Sequence, residues 1–373
     1  MLQTHAKKIV LTGGHAATAA ISVVEELLRR SGKTPLEIYW IGAKRAIEGK
    51  DIATIESQAL PKLGVSTHLI SAGRLQRKFN IWTVPSLAKI PAGFVSATNL
   101  LRKIKPDIIL SFGGFAAFPV VFVGWVMGIP VILHEQTSSA GRANKFSSPF
   151  AKKIAVARVE SLKHFPSNKV VVTGNPIMTQ IAEISPKTKL ASPSTIFVTG
   201  GSRGACTINN LVKPLLPKLL EKYIVIHQTG ELDFEQFTKI KKSLPNALKE
   251  NYEVYSQIDP MQIDGVFKRA DVLVGRSGAN TVSEIMAIHL PSIFIPIPFA
   301  YEDEQTKNAE FARGVGLAEV IPQKKATPQA LWGLIEKTIK NWNSKVAKAA
   351  RFESPDKKAS SRLVDLVLGQ LHI

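Results

Sequence analysis

Cysteine is almost absent from this chain. Cys206 is the single one among 373 residues, so no internal disulfide can form and a reducing compartment is the natural setting. Acidic residues are scarce too: 29 against 48 basic ones, a formal charge of +19. With pI ≈ 9.9, such a chain implies contact with a polyanion: nucleic acid, an anionic membrane face or phosphorylated substrates. The cations are spread along the chain, with no long basic tail and no zinc-finger or RNA-binding motif. Nucleic acid is therefore not expected, and a membrane surface is favoured. No tandem repeat or low-complexity tract is present, and the start, MLQTHAKKIVLTGGH, lacks the apolar core and cleavage site of a signal peptide.

Two further absences bear on chemistry. The first glycine turn, Thr12-Gly13-Gly14-His15, lacks the full G-x-G-x-x-G spacing, which argues against a redox dinucleotide. The second, GGSRGA at 200–205, lacks the Lys-Ser/Thr ending of a P-loop, which disfavours ATP chemistry. No cofactor is expected. The adjacent His134 and Glu135 do not make a ligand set, so no metal is expected either.

Charge is missing altogether from residues 108–133, a run that raises the possibility of a membrane span. Gly113, Gly114, Pro119, Gly128 and Pro130 break it into pieces that read as strand (DIILSF), helix (VVFVGWVMG) and strand (PVILHE). The run is expected to be a buried strand-helix-strand unit, and no transmembrane span is expected.

With 45% hydrophobic residues, the chain can fill two cores. KKIVLTGGHAATAAISVVEELLRRSG reads as strand, glycine turn and helix to about Arg30, the opening of a doubly wound parallel sheet. His15 follows the glycines, where a histidine could accept a proton or donate to a ligand oxygen; a solvent-facing helix start is the plain alternative. His134, Glu135 and Gln136 stand at the end of another strand. The pattern restarts at STIFVTGGSRGACTINN, and a boundary is expected between residues 176 and 194. The domains are expected at 1–175 and 176–345, with 346–373 a helix packing back on the first.

Residues 271–298, DVLVGRSGANTVSEIMAIHLPSIFIPIP, read as strand, tight turn, helix and strand. Thr281 and Ser283 are expected at the helix start, Glu284 in its first turn, and Pro291 at its end. Such a turn aims backbone N–H groups and a helix dipole at one spot, which suits an anion. A carboxylate beside it suits the cis-diol of a ribose, so the pairing suggests a nucleotide. Gln305 and Asn308 lie one helical turn apart and could share a face. From 328 onward the chain reads as two helices. In residues 71–91, Arg74, Arg77 and Lys78 lead into Phe79 and Trp82, a mixture suited to shallow insertion in an anionic bilayer face; an inward-packed loop is the alternative.

The motifs TGGH at 12–15, HEQ at 134–136, GNP at 174–176, GGSRGA at 200–205, RSGANTVSE at 276–284 and QTKNA at 305–309 resemble, in order and spacing, those of the MurG family. These are peripheral membrane enzymes that add N-acetylglucosamine to lipid I to make lipid II for peptidoglycan. The resemblance covers nearly the whole chain and implies an α/β fold of the GT-B class, two doubly wound Rossmann-like domains facing across a cleft. It implies that Thr12, Gly13 and Gly14 lie at the donor diphosphate and acceptor, with His15 near the reacting centre. Ser202 would contact the diphosphate, and Ile258 the uracil through its backbone. Ala279, Asn280, Thr281, Val282 and Ser283 would form the diphosphate turn, with Glu284 on the ribose and Gln305 on the transferred sugar.

The basic aromatic segment at 74–82 falls where the family has its membrane-associating patch, which implies a peripheral enzyme on the cytoplasmic face of the membrane. The sequence departs from the pattern at Thr137, which is expected to bind substrate where asparagine is usual, at Met178, where arginine is usual, and after TGGH, where AATAA replaces a proline.

The implied reaction is inverting transfer from UDP-N-acetylglucosamine, with His15 as the base and Glu135 as the second candidate. Two rivals share the nucleotide half: a synthase that glycosylates diacylglycerol, and a UDP-sugar-binding membrane protein without catalysis. Release of UDP that depends on lipid I, and not on diacylglycerol, separates the three.

Overall fold

The computed structural model describes residues 6–14, 16–32, 35–44, 54–70, 83–201 and 204–372. They form two compact units, Met1–Thr179 with Pro355–Ile373, and Gln180–Ser354. Each is built on one wholly parallel sheet with helices between its strands.

In the first unit the strands are β1 (Lys7–Gly13), β2 (Leu36–Ala43), β3 (Ser66–Ile70), β4 (Ile108–Ser111), β5 (Val131–Glu135), β6 (Lys153–Val156) and β7 (Val170–Val172), in the order β3-β2-β1-β4-β5-β6-β7. In the second they are β8 (Thr195–Thr199), β9 (Ile224–Gln228), β10 (Tyr252–Tyr255), β11 (Val272–Gly275), β12 (Ser292–Phe294) and β13 (Ala318–Val320), in the order β10-β9-β8-β11-β12-β13. Chain direction across the sheet reverses between β1 and β4, and again between β8 and β11. Open sheets receive ligands at such switch points, beyond the carboxyl ends of the strands. Both glycine turns and the RSGANTVSE segment start at these ends.

Strands buried on both faces read as continuous apolar runs, and these do. Val10, Ile41, Ile109, Val131 and Ile154 build the first core with Leu101, Val120 and Val121 from two helices. Val198, Val225, Val272, Val274 and Ile293 build the second with Phe237, Leu331 and Trp342. Each such side chain stabilises its unit by roughly 1.5–3 kcal/mol.

The charge-free run is β4, a ten-residue helix Ala117–Val126 and β5. The helix begins three residues before the expected Val120, because Gly114 ends the preceding turn with its carbonyl accepting from Ala117 N. Among the described residues no helix is long and apolar enough to cross a membrane.

The region after 328 holds three helices rather than two: Pro328–Lys340, Trp342–Ala349 and Ala359–Leu371. Asn341 interrupts the first pair and Pro355 separates the last. Residues up to Ser354 stay with the second unit, whereas Ala359–Leu371 packs on the helix Ala17–Arg30 of the first. Ser22 hydrogen-bonds Ser360, and Arg30 reaches Ser361 and Asp365. Asp356, fully buried, receives Arg158 through both carboxylate oxygens at 2.7 Å and Asn175 N at 2.8 Å. This clasp fixes the GNP segment against the C-terminal helix.

Candidate active site

At the end of β1, Thr12 is buried and its hydroxyl donates to Ile41 O at 2.7 Å. Gly14 N donates to Gly113 O at 2.9 Å, so the turns after β1 and β4 are stitched together. Gly114, at φ +92°, passes so close that an added Cβ would lie 2.9 Å from Gly14 N, which explains the glycine pair. The N–H of the residue that caps the following helix is already met: Glu56, buried and forty positions away, accepts from Ala16 N at 2.8 Å. This turn is therefore less of an anion site than its glycines suggest. His15 lies outside the described residues.

His134 and Glu135 end β5. His134 is fully buried, with Nε2 at 3.1 Å from Gly174 O, and burial pushes its pKa down to about 4. It is a neutral strut between the HEQ and GNP segments. Glu135 is buried as well, and desolvation raises its pKa. One oxygen accepts from Thr137 N (3.1 Å) and Thr137 Oγ1 (2.9 Å), the other from Gly141 N (2.8 Å) and Asn144 Nδ2 (2.9 Å). With four donors on it, this carboxylate shapes the loop 136–144 and has little capacity left for a substrate proton. Thr137 belongs to the same lattice.

In the second unit the loop after β8 turns at Gly201 and Gly204. Gly204 has φ +71°, and an added Cβ would sit 2.2 Å from Thr229 O, so only glycine fits. Ser202 lies outside the described residues. Ile258 is half-buried beyond the carboxyl end of β10, and Asp259 beside it accepts from Met261 N at 3.0 Å to fix the next turn.

The helix after β11 runs Ala279–Ile288 with extended Gly278 as its N-cap and no side-chain cap. This corrects the expected start. The bend at Gly278 lets the helix begin two residues before Thr281, so Thr281 lies in its first turn and Ser283 and Glu284 one turn further on. The helix ends at Ile288, where His289 is left-handed, before Pro291 is reached. Ala279, Asn280 and Thr281 are half-buried, and Val282, Ser283 and Glu284 are buried. First-turn N–H groups have no acceptor inside their own helix, and the helix dipole puts its positive end at this turn.

Glu284 is 7% exposed, and desolvation alone pushes its pKa up to about 8. Among the described residues none donates a hydrogen bond to it. That is an expensive arrangement for a carboxylate unless a ligand completes it.

Arg276, which sequence reasoning passed over, sits at the mouth of the same turn. Its Nη1 donates to Ile295 O at 2.6 Å, its Nε is buried without an acceptor, and burial lowers its pKa. Ser277 Oγ donates to Gln305 O (2.7 Å) and Asn308 Nδ2 to Ser277 O (3.2 Å), while Gln305 Oε1 accepts from Ile297 N (3.1 Å). The QTKNA helix is thus tied to the turn, and the Gln305 amide retains its NH2 for a ligand. The signal for Arg276 was available, as a cation beside an anion-binding turn.

Comparison with known proteins agrees with this geometry. The glycosyltransferase family 28 N-terminal domain matches residues 12–156, and the family 28 C-terminal domain matches 195–363. A UDP-N-acetylglucosamine–N-acetylmuramyl-(pentapeptide) pyrophosphoryl-undecaprenol N-acetylglucosamine transferase of Bacillus cereus is 31% identical over 96% of this chain and 98% of its own. The chain belongs to the MurG family. A Geobacter metallireducens enzyme of the same name is 34% identical over 86% of this chain and 85% of its own. The crystal structure of Acinetobacter baumannii MurG superimposes with a TM-score of 0.67 at 26% identity, covering 97% of this chain and 99% of that one.

The two parallel sheets are those of the GT-B class that the motif resemblance implied. Where the MurG pattern has arginine, Met178 is fully buried.

Proposed function

We propose that this chain transfers N-acetylglucosamine from UDP-N-acetylglucosamine to lipid I, the undecaprenyl-diphosphate-linked acceptor, giving lipid II for peptidoglycan. The observation that carries the nucleotide half is Glu284, a buried carboxylate without an internal donor among the described residues, one turn beyond the N-terminus of a helix. A ribose cis-diol supplies the two donors it lacks, and the diphosphate supplies the anion that Ala279 to Ser283 and Arg276 favour. Gln305 is assigned to hydroxyls of the transferred sugar, Ser202 to the diphosphate and Ile258 to the uracil.

The acceptor hydroxyl oxygen forms its bond to the anomeric carbon as the bond from that carbon to the diphosphate oxygen breaks, with inversion. The hydroxyl proton passes to His15, beside Thr12, Gly13 and Gly14. Charge growing on the leaving UDP is met by the helix dipole and the Arg276 guanidinium, the electrostatic contribution that dominates many transfers. Glu135 acts through Thr137, Gly141 and Asn144 as a positioning residue.

The enzyme works at the cytoplasmic face of the membrane, bound peripherally. The cluster of cations and aromatics at Arg74, Arg77, Lys78, Phe79 and Trp82 lies outside the described residues. A second apolar surface supports the same reading: Val95, Trp125, Val126 and Phe146 are exposed. They surround packed rings of Phe94, Phe118, Phe122 and Phe150, and Arg142 is exposed on the same short helix as Phe146. Apolar anchors with a cation beside them suit an anionic bilayer.

The test uses radiolabelled UDP-N-acetylglucosamine with lipid I, and with diacylglycerol as control. Label should enter lipid only with lipid I, and Glu284→Ala should weaken UDP binding at least tenfold. Unchanged UDP affinity in that variant would sink the nucleotide assignment.

A further inference from the structure

A cavity of about 250 Å³ lies at the opposite end of the second sheet from the nucleotide turn. Its walls come from residues that precede strands: the end of the helix Ile263–Arg269 before β11, and the end of Ala279–Ile288 before β12. Ile184, Phe267, Ile288, Leu290 and Trp342 make it apolar, and Glu183 stands at its mouth. Pockets for drug-sized ligands run about 300–1,000 Å³, so this one fits a fragment.

The charges around it settle what that fragment carries. Lys187 lines the cavity, yet its ammonium is bound to buried Asp271 at 2.8 Å and to Arg269 O at 2.7 Å. Lys268 also lines it, and its ammonium is on Asp264 at 2.7 Å. Both cations are neutralised by neighbours, and their methylene stems serve as wall. The Trp342 N–H is likewise used, donating to Asp271 O at 2.9 Å. Glu183 is exposed, and among the described residues no ion pair or hydrogen bond engages its carboxylate. The His289 ring also lines the chamber, with its Nε2 3.2 Å from Phe352 O, and what remains is a mainly apolar space with one unmatched negative charge at the rim.

We propose that this cavity binds a small primary amine on an apolar stem, with the stem against Phe267, Leu290 and Trp342 and the ammonium on Glu183. The proposal does not depend on the nucleotide assignment, because direct binding is what reports on it. Calorimetry or ligand-observed NMR on the full chain would compare 1-hexylamine, 1-hexanol and hexanoate near pH 7.5 at low salt.

Hexylamine should saturate one site, binding about threefold to fivefold tighter than hexanol, the advantage an exposed ion pair supplies. Hexanoate should bind more weakly than either. Glu183→Gln should bring the amine down to the level of the alcohol. Ser185→Trp, an exposed position at the rim, should block all three while UDP binding and melting temperature hold. Equal binding of amine and carboxylate, an unaltered preference in Glu183→Gln, or no saturable binding to the unmodified chain would each overturn the proposal.

Discussion

Glu284 is the residue whose environment says most about its work. Its folded pKa of about 8 stands above an ordinary carboxyl value. The raised value means that the folded state holds a proton the unfolded state has released. Stability from the neutral form is complete below about pH 4.5 and is lost as pH rises through about 8, roughly 5 kcal/mol in total. Glu284→Gln should remove that slope, so its melting temperature relative to the unmodified protein should climb from pH 5 to pH 9.

Ligand binding should run the other way. A ribose diol needs the ionised form, so UDP affinity should tighten about tenfold per pH unit up to about 8 and be nearly flat in Glu284→Gln. Calorimetric titrations at three pH values decide it, and a flat profile in the unmodified protein would count against the diol contact. That an acid belongs at this turn was legible in the sequence, from RSGANTVSE alone. Its burial was not, because the missing side-chain cap at Gly278 moved the helix start and put Glu284 in the second turn. Glu135 shows the same limit: its place at a strand end was readable, but its four donors come from a loop whose path no local pattern specifies.

Among the elements, the loop 136–144 and the Asp356 clasp are held by buried hydrogen bonds to a single carboxylate each. Glu135→Ala strands Gly141 N and Asn144 in a buried loop and should cost about 2–4 kcal/mol. Because the side chain positions others, its loss should also lower kcat, and Glu135→Gln, which keeps one acceptor, should recover part of both; a variant with full stability and no activity would instead mark Glu135 as the base.

Asp356→Ala leaves the buried guanidinium of Arg158 unpaired and should cost about 3–5 kcal/mol, read as a fall in denaturant midpoint. The alternation of strand and helix behind these contacts was legible throughout, since buried parallel strands announce themselves as apolar runs. Pairings that span long separations, Glu56 to Ala16 or Asp356 to Arg158, were not.

For the whole molecule, charge and apolar exposure act together. Trp125→Ser with Phe146→Ser should weaken sedimentation with vesicles containing anionic lipid by tenfold or more, with UDP affinity unaltered. Equal binding by this variant would remove the exposed patch from the membrane reading. The first unit is also discontinuous: residues 180–354 intervene before its last helix arrives. At about 5–20 residues per second of synthesis, the first sheet waits roughly ten to thirty seconds for Ser360 to reach Ser22 and for Asp356 to reach Arg158. For that interval the nascent first sheet carries an uncovered apolar helix face while the second unit is still being made. A ribosome stalled short of residue 355 should therefore present an open first half, a form on which chaperones would act.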